Sequence, residues 1–209
     1  MLSKSFLWMC IGLLVTFVTG YGVSCSDTML SNVFSSMVWV FIVLEFILVI
    51  VLSAFIMKMS PTWAKIFFLL YSFVSGLTFS SIFVVYDMTS IMMVFLVAAI
   101  IFGVMAFVGY TTNADLSKVG FYAMVALVAV IIVSIINIFL NNTMLELIIS
   151  IVCILLFLGI TAYDVQNIKR LEGSGLPEDN LAIYGALQLY LDFINIFLHL
   201  LSIFGKEDN

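Results

Sequence analysis

Thr89–Tyr110, TSIMMVFLVAAIIFGVMAFVGY, carries no charged side chain and no proline. A bilayer core about 30 Å thick is crossed by about 20 apolar residues in a helix rising 1.5 Å per residue, and this stretch has that length. Outward from it, six more runs approach or exceed the same length: 5–24, 33–57, 63–86, 117–140, 144–165 and 181–204. Short polar punctuation separates them, at Asp27, Ser60-Pro61, Asp87, Thr111 to Ser117, Asn141-Asn142 and Lys169 to Asp179. Connections this short place consecutive helices side by side and antiparallel. The expectation is an all-α integral membrane protein, with residues 1–209 forming one domain of seven transmembrane helices.

Composition agrees. The chain is 65% hydrophobic and 9% charged, with a mean hydropathy of +1.30, too little polar surface to coat a globule in water. The net charge of −5 comes from scattered acids, several inside apolar runs. There is no acidic tail and no basic stripe, so nucleic acid is not an expected partner and the lipid bilayer is. Cys10, Cys25 and Cys153 form neither a paired framework nor a metal-ligand spacing and read as packing residues. Lys4 followed by Phe6 to Val18, with Gly22-Val23-Ser24-Cys25 behind, has the outline of a secretory or lipoprotein signal; the leucine such a site expects is missing, and the first run reads as an uncleaved span.

Cationic residues near span ends stay on the cytoplasmic side. Lys4, Lys58, Lys65, Lys118, Lys169 and Arg170 fall on the side of the N-terminus, and Lys206 alone falls on the other. That bias puts the N-terminus in the cytoplasm. A re-entrant last run, the most polar of the seven, would return Lys206 to the same side, so charge alone leaves the side of the C-terminus open. Small residues let helices approach in lipid, and Ser72-Gly76-Ser80, Ala99-Gly103 and Ala182-Ala186 are expected packing faces.

An ionised group in the hydrocarbon region is costly and is tolerated inside a bundle or beside water. Glu45 and Asp192 each lie about twelve residues into their runs, near the midplane, and Asp164 lies toward the end of the sixth. On the last run Gln188, Asp192, Asn195, His199 and Ser202 step by four, three, four and three, which puts them on one helical face. For Gln188, Asn195 and Ser202 the plainer role is interhelical hydrogen bonding; His199, the only histidine, is more often such a packed residue than a titrating one. Two carboxylates brought together out of water would share a proton, making Asp164 and Asp192 a pH-sensing pair. Oxygen ligands suit hard cations, and Glu45, Asn195, Asp164, Asp192 and Asn137 could line a path for Ca²⁺, Na⁺ or H⁺, with His199 beside it. Asp164 and Asp192 are the candidate calcium-contacting carboxylates; no resident cofactor is expected.

Gly109-Tyr110-Thr111-Thr112 with Asp115-Leu116-Ser117, then Thr161-Ala162-Tyr163-Asp164-Val165-Gln166 with Ile168-Lys169, then Leu189-Tyr190-Leu191-Asp192-Phe193-Ile194-Asn195-Ile196-Phe197 resemble, in order and spacing, the transmembrane Bax inhibitor motif family. The resemblance covers nearly the whole chain, and the short N-terminus looks like that of bacterial members, which implies an inner (plasma) membrane location. It also implies six helices wrapped around a central C-terminal one, and a pH-sensitive calcium leak or exchange. The family's two sensing aspartates map onto Asp164 and Asp192, and its second-span glutamate matches Glu45. Characterised relatives carry an arginine at the cytoplasmic end of the second span as a latch. Here the single arginine is Arg170, and Lys58, the nearest substitute, lacks the planar fork for a bidentate pair.

A second reading, from another class, is an interaction protein, since bacterial relatives resemble modulators of membrane proteases and others restrain cell death. The chain is not expected to be an enzyme. Asp192 has no Gly-x-Gly-Asp setting like that of aspartyl intramembrane proteases, and no Gly-x-Ser-x-Gly elbow, zinc helix or phosphate loop is present.

Overall fold

Three helix ends show the local chemistry that sets them. Ser60 in extended backbone followed by Pro61 at the first helical position opens one helix, because proline's missing N–H is unneeded there. Glu178 and Asp179 open the last, their charges favoured by the positive end of the helix dipole. Asn141, at φ 47°, closes another in the left-handed conformation asparagine tolerates.

A computed structural model describes residues 1–26, Thr28 and 38–206. Its helices are α1 (Leu2–Ser24), α2 (Val38–Phe55), α3 (Pro61–Phe79), α4 (Ile82–Val85), α5 (Met88–Thr111), α6 (Ser117–Leu140), α7 (Thr143–Leu171) and α8 (Glu178–Phe204). Six segments are long and apolar enough to cross a membrane, α3 and α4 counting together as Pro61–Val85; α2 is a shorter apolar helix. Asp27 and positions 33–37 of the second apolar run lie outside the described residues. The protein is an all-helical, multi-pass membrane protein.

The chain divides into two compact units. The first holds residues 1–88 and 171–190, the second 89–170 and 191–206, so α8 gives its first half to one and its second half to the other.

In the first unit, α1 buries Ser5, Met9, Gly12, Thr16, Gly20 and Val23, one face at helical spacing. The Ser72-Gly76 face of α3 meets it: a Cβ on Gly76 would stand 2.7 Å from the Thr16 carbonyl oxygen, so only glycine permits that approach. The Thr16 hydroxyl is 2.7 Å from the Tyr190 hydroxyl. Asn180 donates from Nδ2 to the carbonyls of Ile56 (2.6 Å) and Met59 (2.8 Å), tying the start of α8 to the end of α2. Lys65 pairs with Asp179 at 2.8 Å.

In the second unit, α5 buries Ile91, Val94, Ala98, Phe102, Ala106 and Gly109. The expected Ala99-Gly103 face is therefore not the packed one, and a Cβ on Gly103 would meet nothing within 4 Å. The buried line runs one position away, through Ala98 and Phe102; Phe102 and the more exposed Phe95 set their ring edges against Phe193 at 5.6 and 5.0 Å between centroids. Large rings that interlock this way outweigh a pair of small residues in fixing the face. Ala182 and Ala186 of α8 are fully buried. The cysteines also separate: Cys153 is buried, whereas Cys10 and Cys25 are exposed. Cys10 lies off the buried face of α1, so the packing role holds for Cys153 alone.

Candidate functional site

Asp164 on α7 and Asp192 on α8 each retain 3% of their exposure, and they stand close enough for their charges to act on one another. Both belong to the second unit. The Thr161 hydroxyl lies beside Asp192 while donating to the Phe157 carbonyl at 2.7 Å, so its proton is already engaged. Asp192 Oδ2 is buried and has no hydrogen-bond partner among the described residues. A carboxylate oxygen left bare in an apolar interior is costly, and two neighbouring carboxylates cannot both be charged there cheaply. The arrangement can hold a shared proton, or exchange it for a cation.

The position of Asp164 is set by its two predecessors. A Cβ on Gly109 of α5 would fall on the Ala162 carbonyl, and one on Gly120 of α6 would fall 2.5 Å from the Tyr163 ring. Both neighbouring helices thus touch α7 through bare backbone within two residues of the aspartate. Just beyond, α7 grips the connection between α5 and α6. The Leu116 N–H donates to Gln166 Oε1 at 3.0 Å, and Gln166 Nε2 donates to the Ala114 carbonyl at 2.8 Å. Lys169 Nζ donates to the Tyr110 carbonyl at 3.0 Å and lies 4.6 Å from the centre of the Tyr110 ring. Arg170 pairs with Asp115 at 2.8 Å and donates to the Ser117 hydroxyl at 3.0 Å. The Ser117 hydroxyl and backbone N–H both donate to Asp115 Oδ1. The Ser117 hydroxyl first, and Arg170 next, hold the Asp115 carboxyl well below the usual carboxylate range. The motif residues Gly109-Tyr110, Asp115 to Ser117 and Gln166 to Arg170 thus form one clasp at the end of α7 that carries Asp164.

Farther along α8, Asn195 donates to the Leu191 carbonyl of its own helix at 2.7 Å. His199 Nδ1 lies 3.3 Å from the Ser150 hydroxyl of α7.

Glu45 belongs to the first unit. Ser75 donates to its Oε1 at 2.6 Å and Thr78 to its Oε2 at 2.9 Å, both from α3. Glu45 and Tyr71 line a groove of about 430 Å³. Lys58 is exposed, and its ammonium lies 5.9 Å from the centre of the Phe55 ring, one turn back in sequence. Among the described residues no group of three or more His, Cys, Asp or Glu side chains is placed to hold a metal ion.

Sequence reasoning named the carboxylates but not their hydroxyl partners Ser75, Thr78 and Thr161, nor the jobs of Gln166, Lys169 and Arg170. Ser75 and Thr78 did leave a signal, being polar residues one turn apart in an apolar run. For the clasp, the signal was a short polar loop whose backbone groups needed partners.

The family model described as inhibitor of apoptosis-promoting Bax1 matches residues 1–209. The chain is 40% identical to an uncharacterised protein of Borreliella burgdorferi over 214 residues, covering 100% of this chain and 92% of that protein. It is also 40% identical to the inner membrane protein YbhL of Escherichia coli over 213 residues, 99% of this chain and 91% of the relative. A membrane protein of Streptococcus pyogenes is 40% identical over 168 residues, 79% and 73% of the two chains.

Proposed function

Because the chain belongs to the Bax inhibitor family of multi-pass membrane proteins, we propose that it is a pH-sensitive cation leak or exchanger with Ca²⁺ as its cargo. Asp164 and Asp192 gate it by sharing a proton, and the bared Asp192 Oδ2 beside Asp164 is the observation that carries this reading. When the pair holds its proton, the site is close to neutral and the bundle tolerates it in apolar surroundings. When the proton leaves, the second charge calls for water or a cation, and the helices must rearrange to admit one. Asn195 and His199 serve as further oxygen and nitrogen groups along the path in the second unit, and Glu45 as a cation-contacting carboxylate of the first.

In this reading the N-terminus is cytoplasmic, as the lysine and arginine bias implies, and the membrane is the bacterial inner membrane. The last helix is the central one. In support, 56% of its apolar window is buried, against 6–39% for the other spans. Lys58 stands in for the latch arginine as a point charge, free to swing from Phe55 to a carboxylate.

The test is Ca²⁺ entry into proteoliposomes across a pH series, for wild type and Asp192→Asn. Flux that depends on pH and loses that dependence in the variant supports the gate. No flux above empty liposomes at any pH defeats it, and leaves the second reading, a binding partner for another membrane protein. One observation favours that alternative: only 6% of the apolar window of α6 is buried, an apolar surface that a neighbouring helix could cover as well as lipid.

A further inference from the structure

The second unit contains a cavity of about 740 Å³ at the end where α6 turns into α7, lined by Ser134 and Asn137 of α6, Glu146 and Ser150 of α7, and His199 and Ser202 of α8, among others. It has room for on the order of twenty waters. Its walls are unusual for an apolar bundle. Three helices contribute hydroxyl, amide, imidazole and carboxylate groups to one space, and Glu146 is the only Asp, Glu, Lys or Arg among the lining residues. Helical spacing on an outward, lipid-facing surface would have scattered these groups over the circumference; here they converge. The buried Ser150 hydroxyl holds the His199 ring by Nδ1, so Nε2 is the nitrogen left for a further partner.

We propose that this cavity is a water-filled vestibule that concentrates hydrated inorganic cations. The reasoning has three steps. Eight polar residues line the space; Ser134 donates to the Val130 carbonyl, Asn137 accepts from the Asn142 N–H and Ser150 bonds His199, but the Glu146 carboxylate, the His199 Nε2 and the other amide and hydroxyl groups would forfeit hydrogen bonds in a dry cavity, at a cost above that of admitting water, so the space is wet. A single carboxylate with no cation among its neighbours in the lining then sets a negative potential there, focused by the low-dielectric walls. Neutral oxygens and partly retained waters suit a hard cation that has not yet shed its hydration shell. The vestibule also has a direction. Ser202, His199, Asn195 and Asp192 continue one face of α8, and the seven residues from His199 to Asp192 span about 10 Å. Its floor is thus two helical turns from the aspartate pair, with Asn195 between.

That the vestibule feeds the pair rests on the leak reading above. That it is wet and selects cations does not, and the test keeps the two apart. In a background carrying Cys10→Ser, Cys25→Ser and Cys153→Ala, Ser134→Cys and Ser202→Cys are each treated with two membrane-impermeant methanethiosulfonates, one bearing trimethylammonium and one bearing sulfonate. Leu155→Cys, exposed on the mid-span surface of α7, is the lipid-facing control. The expected result is reaction at Ser134→Cys and Ser202→Cys but not at Leu155→Cys. After division by the ratio that the same two reagents show on a free thiol in solution, the cationic reagent should be faster by about fivefold, as one charge several ångströms away in a watery space implies, and Glu146→Gln should bring this normalised ratio near one. Cysteines that react only after the protein is dissolved in SDS overturn the proposal, as does a charge ratio that Glu146→Gln leaves unchanged. Absent Ca²⁺ flux alongside charge-selective labelling would defeat the leak reading alone.

Discussion

Replacing Gly109 by alanine tests how the aspartate is positioned, because the added methyl group has no side chain to push aside. It would meet the Ala162 carbonyl oxygen and stand 2.8 Å from two more backbone atoms of that residue, where ordinary contact begins at 3.4 Å. Backbone cannot rotate away, so α5 and α7 must part by about 1 Å. Overpacking of this kind costs about 1–3 kcal/mol, and the backbone contact puts Gly109→Ala at the upper end. Gly103→Ala on the same helix is the matched control: its Cβ meets nothing within 4 Å, and a helix-interior alanine should stabilise by about 0.5–1 kcal/mol. That propensity gain is common to both helix positions, so the two variants should differ by the overpacking cost, roughly 3 kcal/mol, or about 9 °C in Tm for a chain of this size. Heating the detergent-solubilised protein and following the surviving monodisperse fraction by gel filtration measures the difference. Ala162 lies two residues before Asp164, so Gly109→Ala should also shift the pH profile of flux while Gly103→Ala leaves it in place. Melting temperatures within 2 °C of each other would refute the close-approach argument.

Asp164→Asn and Asp192→Asn should each flatten the pH dependence of Ca²⁺ flux, and a variant keeping the wild-type profile counts against the shared proton. Glu45→Ala should destabilise more than Glu45→Gln, by about 1–3 kcal/mol read as a lower Tm, since the glutamine amide oxygen still accepts from one of the Ser75 and Thr78 hydroxyls and alanine accepts from neither; equal melting of the two would show that those bonds contribute nothing. The Asp115 clasp has a definite sign with pH. Its carboxyl is held below the ordinary value, so the clasp's contribution is fully present above about pH 4, the unfolded value, and is lost only as pH falls further. Amide exchange at Leu116 should stay slow from pH 5 to 8 after correction for intrinsic rates, and should quicken at pH 7 in Arg170→Ala; an unchanged rate in that variant dismisses the clasp. Asn180→Ala removes the donor to the Ile56 and Met59 carbonyls and should cost about 1–3 kcal/mol, read as a lower Tm that Asn180→Asp, lacking the amide donor, does not restore.

Much of this was legible in the residues alone. Apolar runs of bilayer length need no tertiary information to be read as helices, because in lipid every backbone group must be satisfied within its own segment. Charges inside such runs are equally plain, since their transfer cost does not depend on which helix they face; Glu45, Asp164 and Asp192 were found that way, and the polar face of α8 followed from its spacing. What no one-dimensional pattern holds is which surface of each helix meets which neighbour. Gly103 and Gly109 are both glycines of one apolar run, yet only Gly109 lies against another backbone, on the line where Phe102 is buried against Phe193. The same holds for Arg170, whose charge suggested a topology and whose place in the fold is the Asp115 clasp. Ser134, Asn137 and Glu146, ordinary polar residues near span ends, become one cavity only when α6, α7 and α8 converge. Solvation cost is a property of a residue and its segment, so sequence determined the spans and the charged groups; contact geometry depends on several helices at once, so the tertiary structure alone decided the pairing, the clasp and the vestibule.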